Sequence, residues 1–436
     1  MNSHKLLERV KQSELFKRMA YGVFWTFAGT CFAKFIVLVG GIICAHLLNK
    51  SEYGELGMVR STINMFVVFG TAGLGVTATK YISEYKENNK EHIVSIYLIT
   101  NGFAVIMGLV VTALVLIYSK DLAIHTLKAP QLETPIKVGA FLLFVTILNA
   151  VQNGTLAGFE DFKSIAINTL IGSIVETTCM LLGAYYWGVI GGLIGYGAGF
   201  ITLFIVNYIS IRRQFVKANC QILLDYVEKK DFSLLYKFSI PAAFSAILVA
   251  PVFWVGRSML VRENGFSELA IYEVADQWKV IILFIPTAVC QIVLPILSSL
   301  GQTETNRFKK VLLLNIILNA VISLLIAFIV CLCSGFIMRT YGSEYTDVNT
   351  LNILALSTVF TSISNVVGLA ISSKAKMWYG FAFNLCWATS FIIITKYLLI
   401  KGYGASGVAW GVLLSYLLLT IIQSAYLYLT VLHKHD

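Results

Sequence analysis

Long apolar runs alternate with short polar connections along the whole chain. Twelve runs hold about 20 or more residues, enough for an α-helix to cross the roughly 30 Å hydrocarbon core of a bilayer. Their length and the lack of a two-residue alternation favour helices over barrel strands, so an all-α integral membrane fold is predicted. The predicted spans are 22–48, 56–79, 93–118, 135–158, 164–187, 189–210, 236–256, 271–298, 310–333, 347–371, 378–399 and 405–431.

The composition agrees with this pattern. Of the 436 residues, 57% are hydrophobic and only 13% are charged, whereas a soluble domain carries about 25% charged residues. The net charge of +10 does not indicate nucleic acid as a partner, because the charges lie in the connections between apolar runs. The eight cysteines are scattered singly except for Cys331 and Cys333, which have no His or Asp partner nearby. No metal site, disulfide or cofactor is predicted.

The distribution of Lys and Arg predicts the orientation and the regions of the chain. Basic residues concentrate in the connections on the side of the N-terminus, so both termini are predicted to be cytoplasmic. The first run is too long for the core of a signal peptide and follows a charged leader. We predict that the leader and the linker each form an amphipathic helix on the cytoplasmic face. The alternative for each is a solvated connecting segment. The regions are 1–19 (leader), 20–210 (first lobe), 211–235 (linker), 236–431 (second lobe) and 432–436 (tail).

The two halves share asparagines and glycines at a constant spacing. Two halves of six spans that begin on the same membrane side predict a parallel repeat about an axis along the membrane normal, enclosing a central cavity. A shift of 216 residues places Asn149, Asn168, Gly188, Gly191 and Gly195 on Asn365, Asn384, Gly404, Gly407 and Gly411, and a shift of 213 places Glu55 on Glu268.

Lys34 is the first candidate for a functional charge, because it lies near the middle of the first span. A charge at that depth costs roughly 2.5–3.5 kcal/mol on insertion scales, so it is expected to face protein or water. Thr30 and Gly41 lie on the same side of the helix. Lys34 is interpreted as a cation lining the cavity and binding an anion. The alternative is a structural pair with an acid, for which Glu176 of the fifth span is the candidate.

Arg60 and Arg257 each lie about one turn inside the outer end of a span. The planar guanidinium suits bidentate binding of phosphate. The alternative is that both side chains extend to lipid headgroups at the membrane surface.

The eighth predicted span contains Glu273, Asp276 and Lys279, spaced as i,i+3 neighbours. One interpretation is a proton- or cation-responsive site coupled to transport, with Lys279 contributing to anion binding. The other is an ion pair that closes on itself near the outer surface.

Enzymatic catalysis is not predicted. The histidines are terminal, near loops or isolated, and no Ser-His-Asp set or metal-ligand spacing occurs. The connections are also too short for the large loop of acids and arginines expected of a membrane polymerase or glycosyltransferase.

Residues 45–56 (AHLLNKSEYGEL), 73–75 (GLG) and 80–84 (KYISE) resemble the opening hairpin of polysaccharide flippases. These Wzx-type, or O-antigen, transporters belong to the multidrug/oligosaccharidyl-lipid/polysaccharide exporter superfamily. His46 stands where the family pattern has Arg, which weakens any role carried over to this position.

The resemblance implies two lobes around a V-shaped cavity that opens alternately to each side of the bacterial inner membrane. The implied cargo is an undecaprenyl-diphosphate-linked oligosaccharide moved to the outer leaflet for surface polysaccharide such as lipopolysaccharide O-antigen. Membrane lipids and other membrane proteins of polysaccharide assembly are the implied partners. On this basis Lys34 and Lys279, one per lobe, are hypothesised to hold the diphosphate.

Other functions remain open on the sequence alone. A multidrug exporter of the same superfamily is expected to bury an acid where Lys34 lies. The lipid II flippases are also similar but commonly have two more spans. A non-transporting scaffold leaves Lys34 unexplained.

Overall fold

The computed structural model describes residues 14–71, 73–86, 90–227, 248–299, 305–373 and 377–432. All regular structure in these ranges is helical. The α-helices are α1 (Glu14–Leu47), α2 (Lys50–Thr71), α3 (Leu74–Tyr85), α4 (Lys90–Asp121), α5 (Glu133–Gly158), α6 (Phe162–Lys217), α7 (Val249–Asn264), α8 (Phe266–Ser299), α9 (Thr305–Arg339), α10 (Val348–Ser373), α11 (Met377–Ile400) and α12 (Gly404–Leu427).

Apart from the seventh, each predicted membrane span lies mainly on one or two of these helices. Within the described ranges, eight helices are long and apolar enough to cross a membrane, and the bent pair α2 and α3 makes a ninth. The 56-residue α6 contains both predicted spans 164–187 and 189–210, which meet where Trp187 and Gly188 leave helical geometry. Most of the seventh predicted span, 236–256, and the predicted tail lie outside the described residues, as do parts of the predicted leader and linker.

The polar connection between the first two predicted spans, residues 49–55, is helical from Lys50 onward, where α2 begins. The backbone N–H of Glu52 donates to Asn49 Oδ1 over 2.9 Å, and the N–H of Asn49 donates to Glu52 Oε2 over 3.1 Å. These reciprocal bonds form a capping box, which satisfies amides that a helix start leaves unpaired. The polar residues therefore begin a helix instead of forming a loop.

The second predicted span, 56–79, is interrupted at Gly73. This glycine has a φ of 70°, a left-handed conformation that a helix interior does not accommodate. The axes of α2 and α3 differ by 45° across the break.

The internal repeat extends to the local packing of each half. Gly188 and Gly404, 216 residues apart, both have positive φ, of 59° and 54°. A Cβ added at Gly195 would strike the backbone of Cys179, and one at Gly411 would strike Thr395. Because the second pair follows the first by the same 216 residues, each half packs its glycine-led helix on the preceding helix in the same way.

The chain forms two compact units. The described core of unit 1 includes Ile82, Tyr97 and Phe215, and that of unit 2 includes Phe308 and Val367. Unit 1 consists of Met1–Gly40, Thr62–Ala123 and Pro130–Ile247, and unit 2 of Gly41–Ser61, Ile124–Ala129 and Leu248–Asp436.

The first two helices are thus divided between the units. The last part of α1 and the first part of α2 belong to unit 2, whereas the rest of both helices belongs to unit 1. Residues Gly41–Ser61 are called the α1–α2 hairpin below.

Large apolar side chains remain exposed along the long helices, as expected where lipid replaces water. On α9, Leu314, Phe328 and Phe336 have 68%, 59% and 74% of their surface exposed. Such a surface would be unstable in water but matches the hydrocarbon of a bilayer.

Candidate functional site

Two cations and two acids form a buried cluster within unit 2, on α7 and α8. Arg257 Nε lies 2.5 Å from Glu273 Oε1, and its Nη2 lies 2.8 Å from Asp276 Oδ2. Lys279 also forms an ion pair with Asp276. The three α8 residues fall on one helix face because they are spaced three apart. These four residues are called the ion cluster below.

The ion cluster is well shielded from solvent. Arg257 and Lys279 are only 9% and 8% exposed. Aromatic rings complete the enclosure, with the guanidinium 5.1 Å from the ring centre of Tyr272 and the Lys279 ammonium 4.7 Å from that of Phe253. Buried charges are tolerated when they are paired and packed against such rings, because pairing offsets the cost of removing them from water. With both acids ionised, the cluster is electrically neutral.

A hydrogen-bonded chain adjoins the cluster on α8. Trp278 Nε1 donates to the Tyr341 hydroxyl over 3.2 Å, and that hydroxyl donates to Gln277 Oε1 over 3.0 Å. Burial raises the pKa of Tyr341, which lies after the end of α9, so this phenol remains a proton donor at neutral pH. The chain therefore fixes the Gln277 amide beside the ion cluster.

The α1–α2 hairpin packs closely on α8 through glycines. A Cβ added at Gly57 would lie 2.6 Å from Glu273 Cγ, and one at Gly41 would lie 2.5 Å from Gln277 Nε2. A Cβ at Gly54 would strike the carbonyl of Phe266. These positions lack side chains because the helices approach too closely to accommodate them.

Polar contacts hold the tip of the hairpin to the connection between α9 and α10. The His46 ring, through Nε2, and the Thr340 carbonyl oxygen are 2.8 Å apart. Lys50 Nζ donates to the Glu344 carbonyl over 3.1 Å and lies 5.6 Å from the ring centre of Tyr345. His46, which replaces the arginine of the family pattern, thus contacts backbone within unit 2.

Arg60 belongs to the same hairpin, on α2. It is half-buried and close enough to Cys44 and Tyr53 to act on them electrostatically. Its predicted role in phosphate binding remains a prediction.

Lys34 and Glu176 both belong to unit 1 and are half-buried. A Cβ added at Gly29 would lie 2.5 Å from the Cβ of Ala166, and one at Gly40 would lie 3.3 Å from Thr177 Oγ1. Since α1 runs beside the first part of α6, the two residues lie on neighbouring helices. The predicted pairing between them and the anion-binding role of Lys34 remain predictions.

A buried amide network in unit 1 was not identified from the sequence. Asn168 Nδ2 donates to Asn207 Oδ1 over 2.9 Å and to Ser210 Oγ over 3.0 Å, and Asn207 Nδ2 donates to Asn153 Oδ1 over 3.0 Å. It ties α5 to both parts of α6. The sequence signal for this network was the presence of asparagines inside apolar runs. The internal repeat drew attention to only some of these asparagines.

In unit 2, the aromatic rings around the ion cluster and the glycine contacts with α8 were also missed. The spacing of Gly54 and Gly57 places them on one helix face, which is a sequence signal for close packing. Among the residues with described side chains, no three His, Cys, Asp or Glu residues come together as a metal site.

Comparisons with known proteins agree with a transporter. A family model described as polysaccharide biosynthesis protein matches residues 19–301. The EPS I polysaccharide export inner membrane protein EpsE of Ralstonia solanacearum is 25% identical over 407 residues, covering 89% of this chain and 88% of that protein. A Shigella flexneri protein named as an O-antigen transporter is 21% identical over 397 residues, covering 89% of this chain and 93% of that protein.

Solved structures share the fold. A multidrug resistance MATE family transporter of the MOP superfamily, in an inward-facing conformation, superposes with a TM-score of 0.80 at 15% identity, covering 92% of this chain and 94% of its own. A MOP superfamily transporter from Pyrococcus furiosus gives a TM-score of 0.72 at 16% identity, with 95% of both chains covered. The relatives and the apolar helices together support a multi-pass transporter of the inner membrane, and the relatives are transporters rather than enzymes.

Proposed function

The chain belongs to the family of polysaccharide biosynthesis proteins, and from this premise we propose that it is a lipid-linked oligosaccharide flippase. Its cargo is an undecaprenyl-diphosphate-linked oligosaccharide. The protein moves this cargo from the cytoplasmic to the outer leaflet of the inner membrane by alternating access. The observation that carries the proposal is the ion cluster, which buries Arg257 and Lys279 in a transporter fold.

The chemistry of a diphosphate supports this assignment. Guanidinium and ammonium groups bind phosphate oxygens by the same charge-assisted hydrogen bonds that they make with carboxylates. Glu273 and Asp276 occupy these donors in the structure. A phosphate that enters the cluster replaces the carboxylate oxygens as the hydrogen-bond acceptor of Arg257 and Lys279. When cargo is absent, the two acids neutralise these cations.

Charged residues outside the ion cluster extend the proposal. Lys34 in unit 1 and Arg60 in the α1–α2 hairpin are proposed as further cations for the cargo headgroup. Glu176, Glu273 and Asp276 are proposed as acids that pair with these cations or couple transport to an ion. Lipids and other membrane proteins of polysaccharide assembly are the proposed partners.

The test is translocation of a short undecaprenyl-diphosphate oligosaccharide in proteoliposomes, followed through its accessibility to an external glycan-modifying enzyme. We expect protein-dependent movement that is lost in Lys279→Ala, while Glu263→Gln, at an exposed acid on α7, behaves as wild type. Protein-free vesicles give the background. Absence of movement with several glycans would contradict the proposal, and efflux of a cationic dye from the same vesicles would instead identify a multidrug exporter.

A further inference from the structure

Glu273 contacts both the ion cluster and the α1–α2 hairpin. Its Oε1 lies 2.5 Å from Arg257 Nε. Its Cγ occupies the space beside Gly57, where an added Cβ would lie 2.6 Å away. One side chain therefore joins the charges of α7 and α8 to the backbone of the hairpin, with all three parts in unit 2.

The hairpin follows one face of α8 on either side of this contact. Gly54 meets the first turn of α8, where an added Cβ would lie 3.2 Å from the Ala270 nitrogen, and Gly41 meets the Gln277 amide. Residues 270, 273 and 277 are spaced three and four apart, which places them on one stripe of the helix. Glu273 lies in the middle of this stripe and is its charged member.

Loss of Arg257 as a partner would make the present position of Glu273 unfavourable. The Glu273 side chain is only 20% exposed, and an ionised carboxylate that is neither paired nor hydrated is costly in such surroundings. To reach water or another donor, the carboxylate must rotate. Because its stem packs on the Gly57 backbone, rotation presses on the hairpin.

We propose that Glu273 couples occupancy of the ion cluster to docking of the α1–α2 hairpin on α8. When a phosphate anion takes the Arg257 guanidinium, Glu273 is released and the hairpin separates from the α8 stripe. Glu273 is thus a positioning residue that acts through Arg257 and Gly57. This inference rests on the proposed function, since it takes the cargo phosphate as the competing anion.

The experiment is hydrogen–deuterium exchange of the full-length protein in nanodiscs, read on peptides from residues 41–61. Undecaprenyl diphosphate is the probe, and undecaprenol controls for the lipid tail. Binding of each lipid is measured in parallel by native mass spectrometry. In wild type, the diphosphate is expected to speed amide exchange of the hairpin on the order of tenfold, which is the change produced by loss of one charge-assisted hydrogen bond. Undecaprenol is expected to leave the exchange rate unchanged.

Two variants separate coupling from general loosening. Glu273→Gln keeps the shape of the side chain but removes its charge, so the hairpin should exchange faster without ligand and respond no further to the diphosphate. Gly57→Ala should give the same fast baseline, because the added methyl pushes against Glu273 Cγ. Glu263→Gln should match wild type in baseline and response.

Failure of this inference is distinguishable from failure of the proposed function. If wild type binds the diphosphate but the hairpin exchange does not change, the coupling is wrong and the flippase assignment stands. If no diphosphate binds, the proposed cargo is wrong, and coupling to its phosphate falls with it. An unchanged hairpin baseline in Glu273→Gln would also overturn the coupling, whatever binds.

Discussion

At the scale of residues, Arg257 is the member of the ion cluster on which the others depend. Its guanidinium on α7 pairs with both acids of α8. The sequence indicated neighbouring charges on α8 by their i,i+3 spacing. It could not indicate that an arginine sixteen residues before Glu273 bridges both acids, because that pairing depends on how two helices pack.

Replacement of Arg257 by Met is predicted to destabilise the protein by about 3–5 kcal/mol, because it leaves Glu273 buried without its cation. Denaturant unfolding in detergent micelles measures this loss. The double variant Arg257→Met/Glu273→Leu should recover most of it, since both members of the pair are then apolar. If the single variant loses less than about 1 kcal/mol of unfolding free energy, the pair contributes no more than an exposed surface salt bridge, which contradicts this prediction.

Lys34→Ala is predicted to abolish translocation while the amount of folded protein stays unchanged. Lys34→Arg should restore part of the activity, because the charge returns with different geometry. The readouts are proteoliposome translocation and size-exclusion profiles of the same preparations. Full activity of the alanine variant would remove Lys34 from the cargo-binding groups.

At the scale of elements, glycines decide where helices approach one another. The sequence indicated the glycine-led helices through their repeat, and the structure adds the partner of each contact, Cys179 for Gly195 and Thr395 for Gly411. The start of α2 was misplaced because Asn, Ser and Glu favour both turns and helix caps. Only the reciprocal bonds of Asn49 and Glu52 separate these two outcomes.

Gly195→Ala is predicted to lower the thermal stability of the folded protein, because the new methyl would overlap the Cys179 backbone. Gly335→Ala on α9 is the matched control, since nothing lies within 4 Å of the added Cβ. The control should be neutral or stabilised by up to about 1 kcal/mol through helix propensity. Equal melting temperatures for the two variants would contradict the packing argument.

At the scale of the whole molecule, the all-helical fold and the two repeated halves were predictable from run length and spacing. The family resemblance is confirmed by the match over residues 19–301. The assignment of the α1–α2 hairpin to unit 2 was not predictable, because hydrophobic periodicity defines spans but does not show which spans pack together.

Both termini are predicted to be cytoplasmic, because basic connections are retained on that side. Fusions of a reporter that fluoresces only in the cytoplasm should therefore be bright at either end. A dark C-terminal fusion with a bright N-terminal one would require an odd number of spans.

The ion cluster is proposed to bind the diphosphate of a lipid carrier. Native mass spectrometry of the purified protein with undecaprenyl diphosphate and undecaprenol tests it most directly. Wild type and Glu263→Gln are expected to retain the diphosphate in preference to the alcohol, and Lys279→Ala is expected to lose this preference while remaining folded. Equal retention of the two lipids by wild type, or an unchanged preference in Lys279→Ala, would contradict it.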